Sequence, residues 1–238
     1  MKLNKVVLSL FCMILFAGTT SAYAKSNSQD PVFHKIIVNG QQVTIKEYED
    51  KGIKIFSVSD DVSDKNQVAK AVSEYIDNLN MERSISLNSA PSPDVCENGN
   101  SGSFDPNSSQ RAYATVYAKK CYWVDSPTVP FMSQYKSLES GVQTGQWYGS
   151  SNPDKVVLNQ EATVSGYNVA ITWPPEFSFS NNVGTWQSSE LSGDWYFSAS
   201  IPNIEIKYAL SISNISLKAT ADIYVGPAIY RPSASLSI

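Results

Sequence analysis

Histidine is almost absent from this chain, and His34 is the only one among its 238 residues. A Ser-His-Asp or Cys-His mechanism needs an imidazole base within hydrogen-bond reach of its nucleophile. Here that base would have to come from the first strand of the protein, and no serine sits in a G-x-S-x-G turn. Zinc is excluded on the same ground, because two cysteines without nearby imidazoles do not fill a tetrahedral shell. Positive charge is also in short supply: the net charge is −4. Nucleic acids and other polyanions normally need a basic face, so they are not expected partners. Glycine motifs that cradle phosphates or dinucleotides are missing, and no cofactor is expected.

Long apolar runs are confined to the N-terminus. Lys2 and Lys5 precede the apolar stretch Val6 to Ala17, and Ala22-Tyr23-Ala24 forms a small-residue cleavage pattern before Lys25. The stretch is about 12 residues long, short of the roughly 20 that a spanning helix needs. Cys12 does not make it a lipoprotein signal, because bulky Phe11 precedes it and the apolar run continues past it. Residues 1–24 are therefore read as an export signal peptide. That leaves a secreted, extracytoplasmic chain of about 214 residues with a net charge near −6.

Cysteine is scarce, and the count is informative. Cys12 leaves with the leader, so Cys96 and Cys121 remain. In an oxidising compartment two such residues are expected to form a disulfide. Closing a loop of about 26 residues would stabilise the fold by roughly 3 kcal/mol.

The residues that are present alternate. Phe33 to Val38 reads as a strand, Asn39-Gly40 as a tight hairpin turn, and Gln41 to Tyr48 as the returning strand. Asp50-Lys51-Gly52 turns the chain into a third strand, Ile53 to Val58. The period then changes. From a cap at Ser63 or Asp64, the residues Val68, Ala71, Val72, Tyr75, Ile76 and Leu79 form one helical stripe. Residues 25–82 thus predict a small βββα unit. Residues 83–110 are rich in Ser, Pro and Asn and read as a linker or long loop. Ala112 to Val124 is strand-like, and 125–160 carries only weak strand signals.

From Thr163 onward strands dominate: Thr163 to Trp173, Trp195 to Ile201, and Ile204 to Val225. In the last, apolar residues occupy every second position and Asn214 shifts the register, giving two alternating segments. One wet face and one buried face require a second layer. The fold class is mainly β: an antiparallel β-sandwich over 111–238, preceded by the βββα unit.

All five tryptophans fall between residues 123 and 195. Trp147, Trp173, Trp186 and Trp195 adjoin turn residues, and Tyr148 follows Trp147. Large rigid aromatics at loop edges can stack on a sugar or anchor a protein partner; in strands they equally fill a core. These five are the candidate binding residues. No catalytic or metal-binding residue is assigned. The clusters Asp60/Asp61/Asp64 and Asp105/Asn107 lack the spacing of a calcium loop, and acidic groups suit a helix start.

The favoured function is a secreted, non-enzymatic binding protein that meets an extracellular protein or glycan through sandwich loops. Two alternatives stand beside it. One is a membrane-active or pore-forming protein, because each half of 204–225 reaches the 9–11 residues of a spanning strand. The other is a glycan hydrolase using two of Glu161, Glu176, Glu190 and Asp194. Ligand and oligomeric state are not readable from the residues.

Overall fold

The computed structural model describes residues 30–87, 95–123 and 134–237. The leader falls outside them. Within them the chain is mainly β with one helix, as expected.

Three strands open the fold: β1 (Val32–Val38), β2 (Gln41–Asp50) and β3 (Ile53–Val58). Asn39 and Gly40 both adopt positive φ, as do Lys51 and Gly52, so the two turns close with the residues that tolerate that conformation. Helix α1 (Lys65–Leu87) follows. Its first turn is capped by Asp64, whose carboxylate accepts from the Gln67 amide at 3.0 Å. The helix runs past Leu79, where the apolar stripe ends, because no glycine or proline interrupts 65–87. Its buried residues Val68, Ala69, Val72 and Ile76 pack on Val43, Ile45, Phe56, Val58, Trp195 and Tyr196, giving a first core between helix and sheet.

His34 is a tie within this unit. One ring nitrogen lies 2.7 Å from Glu47 Oε2 and the other 3.2 Å from the Tyr75 hydroxyl, so β1, β2 and α1 meet on it.

The second core lies between two layers of the strands that follow. These are β4 (Val95–Phe104), β5 (Ala112–Trp123), β6 (Gln134–Trp147), β7 (Lys155–Thr172), β8 (Ser178–Ser180), β9 (Val183–Gln187), β10 (Tyr196–Ile201), β11 (Ile204–Val225), β12 (Ala228–Tyr230) and β13 (Ser233–Ser237). One continuous hydrogen-bonded path runs β1-β2-β3-β10-β6-β11-β7-β9-β8. Strands β10 and β11 run along β6 in a single register, from Tyr196↔Gln146 to Ile201↔Gly141, then from Ile204↔Leu138 to Tyr208↔Gln134. Their opposite edge changes partner, from β3 on β10 to β7 on β11. The change falls at Pro202-Asn203. Proline has no N–H to give a ladder, so pairing lapses there.

The layers close on small residues. An ideal Cβ on Gly145 of β6 would lie 2.8 Å from both Ala221 Cβ and Leu158 Cδ2. Ala112, Ala114, Ala118, Ala199, Ala219 and Ala221 line the same core beside Val156, Ile204, Ile215 and Leu217.

Three sequence expectations are corrected. Residues 95–104, read as loop, form β4. Pairing decides this: every residue from Val95 to Phe104 has a partner on β5 from Tyr122 to Tyr113. The weak segment 125–160 contributes β6 and the start of β7; Gly141, Gln143 and Gly145 point inward without looking apolar in sequence. Finally, Ile204 to Val225 is one strand rather than two paired segments. Its irregularities between Tyr208 and Ser211 and between Ile212 and Asn214 bend it without reversing it, and its partner is β7.

Cys96 and Cys121 form the expected disulfide. They are opposite one another in the β4–β5 register, with Cα atoms 4.2 Å apart. No helix among the described residues is long and apolar enough to cross a membrane.

Candidate functional site

The candidate aromatics divide between the two ends of β3. At its C-terminal end lie Trp195, Tyr148 and Trp147. The Trp195 amide donates to Val58 O at 3.1 Å, and its indole donates to Asp60 O at 3.0 Å. The Trp147 indole donates to Ser151 O at 2.8 Å and stacks on Tyr230 with ring centres 5.3 Å apart. Tyr148 is half-buried and donates to Gln146 Oε1. Desolvation raises its pKa well above the ordinary tyrosine value. Lys65, whose pKa burial lowers against an opposing pull from Asp61, donates to Gly149 O at 2.7 Å and sits over the Trp195 ring. A shallow depression of about 300 Å³ lies here, between residues 61–66 and 148–150. Trp147 and Trp195 are core residues at this end, and their indole N–H groups are satisfied.

At the other end of β3 a different arrangement appears. The β2–β3 turn folds against the segment that follows β9. Lys51 Nζ donates to Gln187 O at 2.9 Å, and the Ser189 amide donates to Asp50 Oδ2 at 2.7 Å. Gly52 takes a φ of +80° and leaves room for the Glu176 side chain, whose Cγ would lie 2.7 Å from a Cβ there. Trp173 and Phe177 stack with ring centres 6.4 Å apart over Gly184, which holds the 173–177 turn beside β9.

The result is a groove of about 450 Å³. That is within the roughly 300–1,000 Å³ of small-molecule sites. Trp186 and Glu176 line it with Lys51, Asn159, Thr185 and Gln187. Its rim is held by Gln187 Nε2 donating to Asn159 Oδ1 at 2.7 Å and by Thr185 donating to Ser178 O at 3.3 Å.

The groove stands out for two unsatisfied atoms. Trp186 is only 4% exposed, belongs to the inter-layer core and shares the inner face of the β7–β9 pair with buried Gln160; its Nε1 has no hydrogen-bond partner, and Glu176 Oε2 is likewise buried and unpartnered. Six buried side-chain polar atoms among the described residues lack a partner. Of the other four, Gln160 Oε1 belongs to the residue directly opposite Trp186 in the β7–β9 register, and those on Ser57, Gln143 and Ser198 lie in packed strands. Leaving a buried donor or acceptor unmade costs about 1–3 kcal/mol; both atoms are closed to solvent, so a ligand in the groove would meet the exposed lining, Lys51, Ser178, Thr185 and Gln187.

The other carboxylates considered for hydrolysis are elsewhere. Glu190 is exposed and pairs with Lys155 at 2.6 Å, Asp194 is buried against Lys46, and Glu161 is exposed on β7. The aspartates before the helix have local duties: Asp60 accepts from the Thr44 amide and Asp64 caps α1. No cluster of three potential metal ligands occurs among the described residues.

Sequence reading found Trp186 and Glu176, one as an aromatic candidate and one as a carboxylate candidate. It did not join them, and it missed Lys51. Only the docking of the β2–β3 turn onto residues 187–189 brings these positions together.

No protein-family model, curated protein or solved structure matches this chain.

Proposed function

We propose that this is a secreted, non-enzymatic binding protein whose ligand occupies the groove formed by Trp186, Glu176 and Lys51. The observation that carries the reading is a groove of about 450 Å³ at which an ammonium, a carboxylate and amide and hydroxyl side chains converge: Lys51, Glu176, Asn159, Gln187, Thr185 and Ser178. Secretion is supported by the N-terminal leader pattern and agrees with the Cys96–Cys121 disulfide. Binding is favoured over hydrolysis because Glu176 is the only carboxylate lining the groove, and glycosidases place two beside the scissile bond.

The test is a groove-filling substitution. Thr185 is exposed on the rim, so Thr185→Trp obstructs the groove without touching the core. The full chain is screened on arrays of immobilised glycans and peptides. The reading expects at least one binder that Thr185→Trp abolishes and Phe179→Trp, on the neighbouring exposed strand, leaves intact. Binders indifferent to Thr185→Trp would refute the groove as the site.

Membrane insertion has one observation in its favour: β7 and β11 are 18 and 22 residues long. Both exceed the roughly 9–11 of a spanning strand. Against it, the apolar residues Leu158, Ala162, Val164, Ile215, Leu217, Ala219 and Ile223 are committed to the inter-layer core.

A further inference from the structure

We infer that the free edge of β1 is a docking strand for an extended peptide segment in which one acidic residue is flanked by apolar, β-branched residues. The segment adds to the sheet antiparallel to β1. This surface is separate from the groove and does not rest on it.

Register decides which groups the edge offers. The two-residue turn at Asn39-Gly40 makes Val38 and Gln41 a hydrogen-bonded pair, and such pairs alternate along an antiparallel ladder. Val32, His34, Ile36 and Val38 therefore direct their N–H and C=O groups at β2. Phe33, Lys35 and Ile37 point theirs outward, where no described strand pairs with them. The same three residues carry their side chains on the face away from α1. Phe33 is 57% exposed, Ile37 is 78% exposed, and Lys35 is exposed between them. Free main-chain groups beside exposed apolar side chains are a template for another strand. The other edges differ: β8, at the far end of the path, has three residues, and β4 carries Glu97, Asn98, Asn100 and Gly102. On the α1 side of β1, Ile36, Ala71, Tyr75 and Leu79 form a half-buried margin of the first core, with the Tyr75 ring against His34. An added strand would cover that margin.

Charge and register then choose the occupant. A second copy pairing along the whole of β1 by a two-fold axis sets Phe33 opposite Ile37 but Lys35 opposite its own counterpart, and like charges so placed repel. Sliding the pair by two residues brings a different obstacle into a hydrogen-bonding position. It is either Pro31, which has no N–H, or Asn39, whose φ is +51°. A different segment escapes both. A carboxylate opposite Lys35 replaces the repulsion with an ion pair, and apolar residues two positions to either side cover Phe33 and Ile37. Lys46, the neighbour of Phe33 on β2, is engaged by Asp194 at 2.9 Å, so Lys35 is the cation that selects the segment.

The experiment is fluorescence anisotropy of the labelled, end-capped peptide Ser-Val-Thr-Glu-Thr-Val-Ser, titrated with the full chain. A second peptide has Lys in place of Glu. The Glu peptide is expected to bind and the Lys peptide to bind at least about tenfold more weakly. Lys35→Glu should reverse that preference. Ile37→Pro removes an outward N–H that the fold does not use, and should weaken the Glu peptide by about tenfold. Thermal melts check that the variants fold; if Ile37→Pro does not, Ile37→Asp makes the same comparison with the backbone intact. Thr185→Trp should leave the peptide bound, so failure at this edge leaves the groove untouched, and an array peptide released only by Ile37→Pro belongs to this edge. No binding of the Glu peptide, equal binding of the two peptides, or binding indifferent to the Ile37 substitutions overturns the inference. A parent chain that sediments as a dimer, with Ile37→Pro a monomer, gives the edge to a second copy and overturns the peptide assignment.

Discussion

Substituting Gly145 tests the meeting of the two layers at a single point. The glycine lies on β6, and an added Cβ would approach Ala221 Cβ and Leu158 Cδ2 at 2.8 Å each. The two contacts differ in kind. The end of Leu158 can rotate away at the cost of an imperfect rotamer, but Ala221 Cβ is fixed to the β11 backbone, so the layers themselves must part. Overpacking of this sort costs about 1–3 kcal/mol, and Gly145→Ala should fall in the upper half because one contact is rigid. Ala221→Gly alone should cost about 1 kcal/mol through strand flexibility. The double variant removes the rigid clash, so it should be less destabilised than the sum of the singles by about 1–2 kcal/mol. Urea unfolding followed by tryptophan fluorescence gives each value from the transition midpoint at constant slope. Additive losses, or a neutral Gly145→Ala, would show that β6 does not face β11 at this point.

Four further outcomes follow from the same structure. Reducing the Cys96–Cys121 bond, whose partners are 25 residues apart, should lower stability by about 3 kcal/mol, read as a fall in Tm with dithiothreitol. Tyr196 is fully buried, and burial pushes its pKa up to about 12. The folded state therefore keeps a proton that the unfolded state loses from pH 10, so stability declines between about pH 10 and 12. Tyr196→Phe should lose about 1 kcal/mol at pH 7 with the Ser73 hydrogen bond and unfold less steeply than the parent in that alkaline window. Lys46→Met leaves Asp194 buried without its partner and should cost about 1–3 kcal/mol, the lower end reflecting the partial exposure of Lys46. The full chain should release no dye from liposomes; release that requires residues 204–225 would favour the pore-forming alternative.

Much of the architecture was legible because apolar residues announce themselves by period. β1 to β3, the Asn39-Gly40 turn, the Asp64 cap and the bend at Asn214 all follow from local chemistry. What escaped was carried by partners. β4 contains Glu97, Asn98, Gly99, Asn100 and Gly102, poor strand formers that are strand because β5 pairs with them and Tyr113 covers Gly102. On β6, Gly145 faces a core with no room for a larger residue, Gly141 is crowded by Ile201, and Gln143 is buried with its amide bonded to Thr220 O, so polar or small residues mark burial here. The groove was half legible. Trp186 and Glu176 were singled out by type, but Lys51 joins them through a contact spanning 136 positions, which no spacing rule encodes. The four other binding candidates meet different fates: Trp147 and Trp195 are packed and hydrogen-bonded, Tyr148 braces the far end of β3, and Trp173 buttresses the groove from behind.

The most direct measurement is the indole region of a ¹⁵N-edited proton spectrum during titration with the tightest-binding ligand found in the array screen and lost in Thr185→Trp. The Trp147 and Trp195 indole protons are already bonded to Ser151 O and Asp60 O, whereas that of Trp186 has no acceptor. Ligand in the groove should move the Trp186 resonance, assigned by its loss in Trp186→Phe, and leave Trp147 and Trp195 in place. A Trp186 signal unmoved at saturation, or shifts confined to Trp147 and Trp195, would contradict recognition at this groove.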